Sequence, residues 1–364
     1  MGAESAILPT LRTQPARRGF FGPVRTRNWT PMTKATLPRI GSDTVLAGDI
    51  GGTNARFRLA PAHRPAEPIM ERVFPVAGHA TFADALATFL AEAGVGAPRT
   101  AAIAVAGPVQ GSTAKLTNAT WTIDAGAIAR RFGIAHVRLA NDFEAAAAGI
   151  AHLPPESLAS LQRGRRQAGA PCLVIGAGTG LGVAFTLPMP EGTRILGGEG
   201  GHVPFAPQDE EQRALHDFVA AEVGRVTAEH LLSGAGLVRL HAFARVRAGN
   251  AAPAHDGLPH GAASVTERAQ GDDPAARRAV ALFCTILGAV AGDHALTLMT
   301  RGGVFVAGGI APRLAPALAD GRFLAAFCAK GVHSALMASI PVDLVRDERL
   351  GLTGAAALAA AQHE

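Results

Sequence analysis

The 364-residue chain has no tyrosine, and its aromatic residues amount to only 5%. A core short of large rings must be filled by aliphatic and small side chains, and the many alanines and glycines favour helices packed closely on a sheet. Cysteine is scarce: Cys172, Cys284 and Cys328 lie far apart within apolar runs. That excludes a disulfide frame or a zinc cluster and predicts buried thiols in a reducing compartment. No uninterrupted apolar run reaches the roughly 18 residues of a membrane span. No Gly-Lys dipeptide occurs, so the P-loop motif is missing. Excess positive charge is also lacking where it would matter. The net charge is +5, but Arg12, Arg17, Arg18, Arg25 and Arg27 face Glu4 alone before Pro31, leaving the rest of the chain close to neutral. A nucleic-acid footprint is therefore not expected.

Two glycine-rich stretches organise what is present. Val45-Leu46-Ala47 leads into Gly48-Asp49-Ile50-Gly51-Gly52-Thr53-Asn54, and alternating residues follow from Arg56 to Leu59. This reads as strand, tight turn, strand. Glycines let backbone N–H groups approach an anion, Thr53 and Asn54 add donors, and Asp49 at the strand's lip could hold a cation or its water shell. Cys172–Ile175 leads likewise into Gly176-Ala177-Gly178-Thr179-Gly180-Leu181-Gly182, followed by Val183-Ala184-Phe185. The pair points to a ligand with several phosphates gripped from two sides, although either turn alone could be a plain hairpin. Neither has the glycine spacing and following helix of a dinucleotide fingerprint.

Residues 1–42, with five scattered prolines and no sustained periodicity, read as a disordered N-terminal extension. Its arginines resemble a transit peptide, but the prolines break any amphipathic helix, and Met32 offers a later start. Beyond it, strands are expected at 44–49, 55–60 and 69–76, a helix at 81–93, strands at 101–106 and 137–140, and helices at 124–132 and from Asn141-Asp142 to about 151. Pro154-Pro155 and the basic segment 163–169 mark a boundary, with a second domain starting at the Cys172 strand. There, helices are expected at 210–221, 226–232, 237–247, 273–300, 322–330 and 354–362, with a strand at 304–307. This places a small α/β domain at 43–152, joined by a C-terminal helix in 344–364, and a large one at 153–343. A glycine hairpin opening each domain suggests a duplicated fold with a cleft between the halves.

Asp142 falls where a strand ends and a helix begins, the usual place for catalytic groups in α/β folds. It could cap the helix or act as a general base toward a sugar hydroxyl. Gly197-Gly198-Glu199-Gly200-Gly201-His202 makes a loop that can pack on a polar ligand, with Glu199 and His202 offering the acceptors and donors that a polyol needs. No third ligand lies at metal-site spacing. Glu229, in the 226–232 helix, reads by itself as a surface glutamate. Ser233-Gly234-Ala235-Gly236 reads as a helix stop, and Gly308-Gly309 as a turn that could pass beside a flat base.

The ordered set GDIGGTNARF, LTNATW, ANDFEAAAAGI, GAGTGLGVAF, GGEGGHVPFAP, AEHLLSGAGL and GGVFVAGGIAPR resembles the bacterial glucokinase family from about Val45 onward. The resemblance implies an α/β, two-domain actin-like, ribonuclease H-like sugar-kinase fold with an interdomain cleft. It implies a cytoplasmic enzyme, commonly a homodimer, that moves the γ-phosphate of ATP to O6 of glucose with Mg²⁺, the entry of glucose into glycolysis. By the same resemblance Asp142 is the catalytic base, and Asn118, Asn141, Glu199, His202 and Glu229 bind the sugar. Asp49, Gly51, Gly52, Thr53 and Asn54 form the first phosphate motif, with Asp49 near the metal. Gly176, Gly178, Thr179 and Gly180 form the second, and Gly308 and Gly309 lie near adenosine. Two other readings stay open: a glucose-responsive regulator, and a kinase for a related hexose, an amino sugar or a polyphosphate donor. The cysteine cluster of the zinc-binding sugar kinases and repressors is absent.

Overall fold

In a computed structural model, residues 43–96, 98–116, 120–250 and 261–362 are described. The expectations for residues 1–42, for Asn118 and for most of the Asn250–Gly261 loop lie outside them. The first half is built from β1 (Thr44–Ile50), β2 (Asn54–Pro61), β3 (Met70–Pro75), α1 (Phe82–Ala93), β4 (Thr100–Val105), β5 (Val109–Gln110), β6 (Thr113–Lys115), β7 (Thr122–Asp124), α2 (Ala125–Phe132), β8 (His136–Asn141) and α3 (Asp142–Gly149). The second contains β9 (Leu158–Gln162), β10 (Cys172–Ala177), β11 (Leu181–Met189), β12 (Gly192–Gly198), α4 (Glu210–Val223), α5 (Gly234–Arg247), α6 (Gly261–Gln270) and α7 (Pro274–Thr297). It closes with β13 (Gly303–Ala307), α8 (Ala315–Leu318), α9 (Arg322–Cys328), α10 (Ser334–Ser339), β14 (Val342–Val345) and α11 (Leu350–Ala360).

The two main sheets repeat one plan. The first has the order β3-β2-β1-β4-β8, with β1 antiparallel to β2 and parallel to β4, and β4 parallel to β8. The second runs β12-β11-β10-β13-β14, with the same senses at each step, and β9 adds antiparallel to its far edge. The glycine hairpins β1–β2 and β10–β11 occupy corresponding places, so the duplication inferred from the motifs is a duplication of topology. β9 and β14 escape sequence reading. β9 follows Pro154-Pro155 and is only half-buried, so it carries no continuous apolar run.

Local chemistry explains most boundaries. Thr81, Asp124, Asp209 and Asp273 cap α1, α2, α4 and α7, each accepting from a backbone N–H three residues on. Gly94 and Gly133 end α1 and α2 in the left-handed conformation, at φ 68° and 70°. Two expectations fail at one place. Residues 226–232 form a turn with an isolated bridge, Pro204 to Thr227, and not a helix. Ala228 and Glu229 give their N–H groups to the carbonyls of Val203 and Gly201, which fixes them against the neighbouring loop. Ser233 starts a helix instead of stopping one, its Oγ accepting from Gly236 N–H at 3.0 Å. The periodicity was misleading because Val226, Ala228, Leu231 and Leu232 are all buried by surrounding elements.

The first sheet buries Phe57, Phe82, Phe89 and Ile103 on one face. On the other, Val45, Ala47, Ala102 and Ala104 meet Leu352, Ala355, Ala356 and Ala359 of α11. α3 lies against α11 and also meets the second sheet, where Ala146 and Ala147 pack with Val174, Ala184 and Phe305. Small residues permit this: a Cβ on Gly354 would lie 1.6 Å from the Ala145 carbonyl oxygen, and one on Gly149 would lie 2.6 Å from that of Leu350. Arg58, 1% exposed, ties α11 further to β2 and β3 by donating to Glu71, the Pro65 carbonyl and Thr353 Oγ1. In the second half α7 is the core helix. Its length and mean hydropathy of 1.7 match a membrane span, a match that counting uninterrupted apolar runs overlooks. However, 72% of the apolar window is buried inside the fold. Of the three free thiols Cys284 is buried, with its pKa pushed up to about 12 by that burial, whereas Cys172 and Cys328 are half-buried.

Candidate active site

Strand register brings the first group of residues together. β1, β4 and β8 run parallel, so their C-terminal ends share one edge. Asp49 pairs with Ala104, which pairs with Ala140, placing Asp142 just beyond the level of Asp49. Asn141 closes β8 and caps α3, its Oδ1 accepting from Phe143 N–H at 2.8 Å. Asp142 Oδ1 accepts from the same N–H at 3.0 Å. The capping role left open for Asp142 is thus carried mainly by Asn141. Burial raises the Asp142 pKa to about 6, with the negative charge of Asp49 adding to the rise and the hydrogen bonds from Phe143 and its own backbone opposing it. Asp49 is raised as well, by burial, although Arg56 opposes the shift. Arg56 Nη1 lies 3.4 Å from Asp49 Oδ2, directly across the hairpin. Sequence reading passed over Arg56, yet the hairpin register alone places it opposite Asp49.

The two turns treat their donors alike. Gly51 N–H is taken by the Asn54 carbonyl at 3.0 Å, and Gly178 N–H by the Gly180 carbonyl at 2.8 Å. The N–H groups of Gly52, Thr53, Thr179 and Gly180 have no acceptor among the described residues, so these are free to meet an anion. Gly308 follows β13 at φ +87°, and a Cβ there would lie 2.4 Å from the Ala177 carbonyl oxygen. Both facts require glycine. Gly309 faces open space.

A second group assembles around His202. Its Nε2 lies 3.8 Å from Glu199 Oε2 and 4.0 Å from Glu229 Oε1. Glu229 is not the surface residue of a helix. Its N–H donates to the Gly201 carbonyl at 2.9 Å, and its Oε2 accepts from Leu181 N–H at 2.9 Å. Gly180 permits this approach, since a Cβ there would sit 2.4 Å from Glu229 Oε2. The three side chains are 76%, 57% and 31% exposed for Glu199, His202 and Glu229, open to a ligand from solution. Phe143 joins the groups: its ring occupies the space a Gly182 side chain would fill, with Cδ2 1.8 Å from that Cβ position. The residue after Asp142 is thereby seated on the strand after the second phosphate-type turn. Nothing in the sequence signals this pairing, because it joins elements from opposite sheets. Among the described residues no three His, Cys, Asp or Glu side chains are arranged to hold a metal by themselves.

Paired sheets of one topology, each opening on a glycine hairpin, fit the two-domain actin-like, ribonuclease H-like sugar-kinase fold that the resemblance implies. Comparison with known proteins narrows this. The glucokinase family model matches residues 46–362. The chain is 39% identical over 316 residues to a glucokinase of Chromobacterium violaceum, covering 86% of this chain and 88% of that one. It is 40% identical over 313 residues to a glucokinase of Chromohalobacter salexigens, covering 85% and 96%. In structure it is similar to a glucokinase from an Antarctic psychrotroph, with TM-score 0.78, 31% identity and coverage of 87% and 98%. A glucokinase from Balamuthia mandrillaris solved in complex with glucose shares the fold at TM-score 0.74 and 22% identity, covering 87% and 93%. The chain belongs to the glucokinase family.

Proposed function

We infer that the chain phosphorylates D-glucose at O6 with ATP as donor. The observation that carries the reading is the place of Asp142, at the C-terminal edge of the parallel strands just beyond the level of Asp49, where the charges of Asp49 and Glu199 act on its carboxylate. Glu199, His202, Glu229 and the Asn141 amide bind the sugar hydroxyls, and Asn118 belongs to the same wall by resemblance. Asp142 takes the O6 proton as O6 forms its bond to the γ-phosphorus and the bond to the ADP oxygen breaks. The free N–H groups of Gly52, Thr53, Thr179 and Gly180 donate to the phosphate oxygens, Asn54 and Arg56 belong to the first of these hairpins, and Gly308-Gly309 borders the adenosine. Positioning and electrostatics do most of the work in phosphoryl transfer.

Asp49 fits Mg²⁺. Two oxygen-donor carboxylates share one electrostatic neighbourhood without a full set of protein ligands, which suits an ion that keeps waters and substrate phosphates. Asp49 would hold it together with ATP, and the bound ion neutralises phosphate charge. The small domain at 43–152 with the C-terminal helix, the large domain at 153–343, closure of the cleft against water, a homodimer and a cytoplasmic location complete the proposal. Sedimentation of the purified chain tests the dimer.

The direct test is glucose 6-phosphate formation from ATP and Mg²⁺ across glucose, mannose, fructose and N-acetylglucosamine. Turnover with glucose alone is expected. Turnover with another sugar would move the specificity, and glucose binding without turnover would sink the kinase reading. Asp142→Asn is expected to keep glucose binding, measured by calorimetry, while lowering kcat by about 10²–10⁴-fold.

A further inference from the structure

Glu229 is carried by a turn and not by a helix or strand. Val226, Ala228, Leu231 and Leu232 anchor that turn in the core. Burial of these apolar side chains leaves the direction of the carboxylate unset. Hydrogen bonds at the two ends of residues 227–230 set it. His230 N–H donates to the Thr227 carbonyl at 3.2 Å, an ordinary turn bond. The return bond uses a side chain. Thr227 N–H donates to the imidazole Nδ1 of His230 at 3.0 Å, and Thr227 Oγ1 lies 3.1 Å from the same nitrogen. Thr227 and His230 are thus tied in both directions, with Ala228 and Glu229 between them.

Thr227 is 4% exposed, so water has little access to its N–H. The bridge to Pro204 does not use it either. That bridge is made by the flanking groups, Phe205 N–H to the Val226 carbonyl and Ala228 N–H to the Val203 carbonyl, so Thr227 N–H points away from the facing loop. A buried N–H needs an acceptor, and the one supplied here sits next to Glu229 in the chain. A backbone N–H can only donate. Nδ1 therefore accepts, and the ring is neutral with its proton on Nε2.

We propose that His230 is a positioning residue of the hexose site, its imidazole closing the turn that points Glu229 toward the sugar. This rests on the reading that Glu229 binds the hexose. The effect of His230 runs through the backbone from Thr227 to Glu229.

The device works in one protonation state. A proton on Nδ1 redirects that nitrogen to Thr227 Oγ1 and strands the Thr227 N–H. The charged groups that face the ring are Arg239 of α5, Glu222 of α4, which pairs with Arg239, and Glu229 and His202 of the site itself. Burial first, then Arg239, holds the His230 pKa below the ordinary histidine value, while Glu229 and Glu222 oppose the shift. The closed turn is therefore complete at neutral pH and is lost as pH falls through that lowered value.

The test uses the full chain, with glucose affinity read by calorimetry without ATP. His230→Leu removes the acceptor and leaves an apolar side chain of similar size. At neutral pH, glucose affinity is expected to fall about tenfold, the size of one lost buried hydrogen bond. KM for ATP and kcat at saturating glucose should hold. His230→Asn, whose Oδ1 takes the place of Nδ1, should restore most of the affinity, whereas His230→Gln, which reaches the place of Nε2, should not. On acidification the wild-type affinity should drop toward or below that of His230→Asn, whose acceptor does not titrate. Parallel profiles in those two would overturn the proposal. If His230→Leu fails to fold, the Asn and Gln pair decides, and equal glucose affinities in them would overturn it. Losses spread evenly over glucose affinity, ATP KM and kcat would also overturn it, as the mark of a merely structural residue. Glu229→Gln separates the two levels. If it weakens glucose binding and His230→Leu does not, the positioning role falls. If neither does, the hexose-site reading of Glu229 falls with it.

Discussion

At the β1–β2 turn a side chain on Gly51 would come no nearer than 3.7 Å to any neighbour. At the β10–β11 hairpin the glycines are claimed from outside. A Cβ on Gly176 would lie 2.4 Å from the Ala307 carbonyl oxygen, one on Gly180 would meet Glu229, and one on Gly182 would meet Phe143. Only Gly178 there looks onto open space. The two hairpins have the same place in sheets of the same topology and read alike as phosphate cradles, but they carry different loads. The first leaves its turn open at Gly51, although a Cβ on Gly48 in the strand would lie 2.9 Å from Ile103, and it places its charge pair, Asp49 and Arg56, within the hairpin. The second uses its glycines to bring Glu229, a proposed sugar-binding carboxylate, and the helix of the proposed base against the turn. The second hairpin is therefore the junction between the two proposed substrate sites.

Substitutions that close one space at a time break this comparison. The largest effect is expected from Gly182→Ala. Its Cβ would overlap the Phe143 ring, and a displacement of Asp142 by as little as about 1 Å can cost about 10²-fold in kcat. An unchanged kcat would show that the ring does not set the base. Next comes Gly180→Ala, which pushes Glu229 away from Leu181 N–H. A hydrogen bond to a charged group is worth roughly 1.5–3 kcal/mol, so glucose affinity should fall by about 10- to 100-fold, read by calorimetry. In the first hairpin the electrostatic link can be read from pH. As the proposed base, Asp142 acts when ionised, so kcat/KM should fall as pH drops through about 6. Asp49→Asn removes a negative charge that favours the protonated form, and it should move that acid limb to lower pH. A limb that stays put or moves upward would contradict the coupling. The smallest effect belongs to Gly178→Ala, which meets open space. Its stability should change by no more than about 0.5 kcal/mol by thermal melting, with only the ATP KM responding.

Much of this was legible in the chain itself. Strand–turn–strand at Asp49, the Asp124 and Asp273 helix starts, and Asn141-Asp142 at a strand end follow from local stereochemistry, which acts over a few residues. Glu229 shows where such reading stops. Apolar residues at 226, 231 and 232 imitate a helix face because other elements bury them on all sides. Ser233 and its glycines imitate a stop because the same residue types open and close helices, and only the direction of Ser233 Oγ toward Gly236 N–H decides. β9 and β14 went unread because short edge and inner strands are defined by their partners.

By itself the sequence determined which local pieces form and which side chains carry chemistry: two glycine hairpins, a carboxylate at a strand end, and a Glu and a His among glycines. Local backbone preferences and hydrogen-bonding chemistry are written in residue type. Only the tertiary structure decided that Glu229 meets His202 and that Phe143 sits on Gly182. These contacts join residues distant in the chain, and their geometry is set by sheet register and by how closely small residues let elements approach.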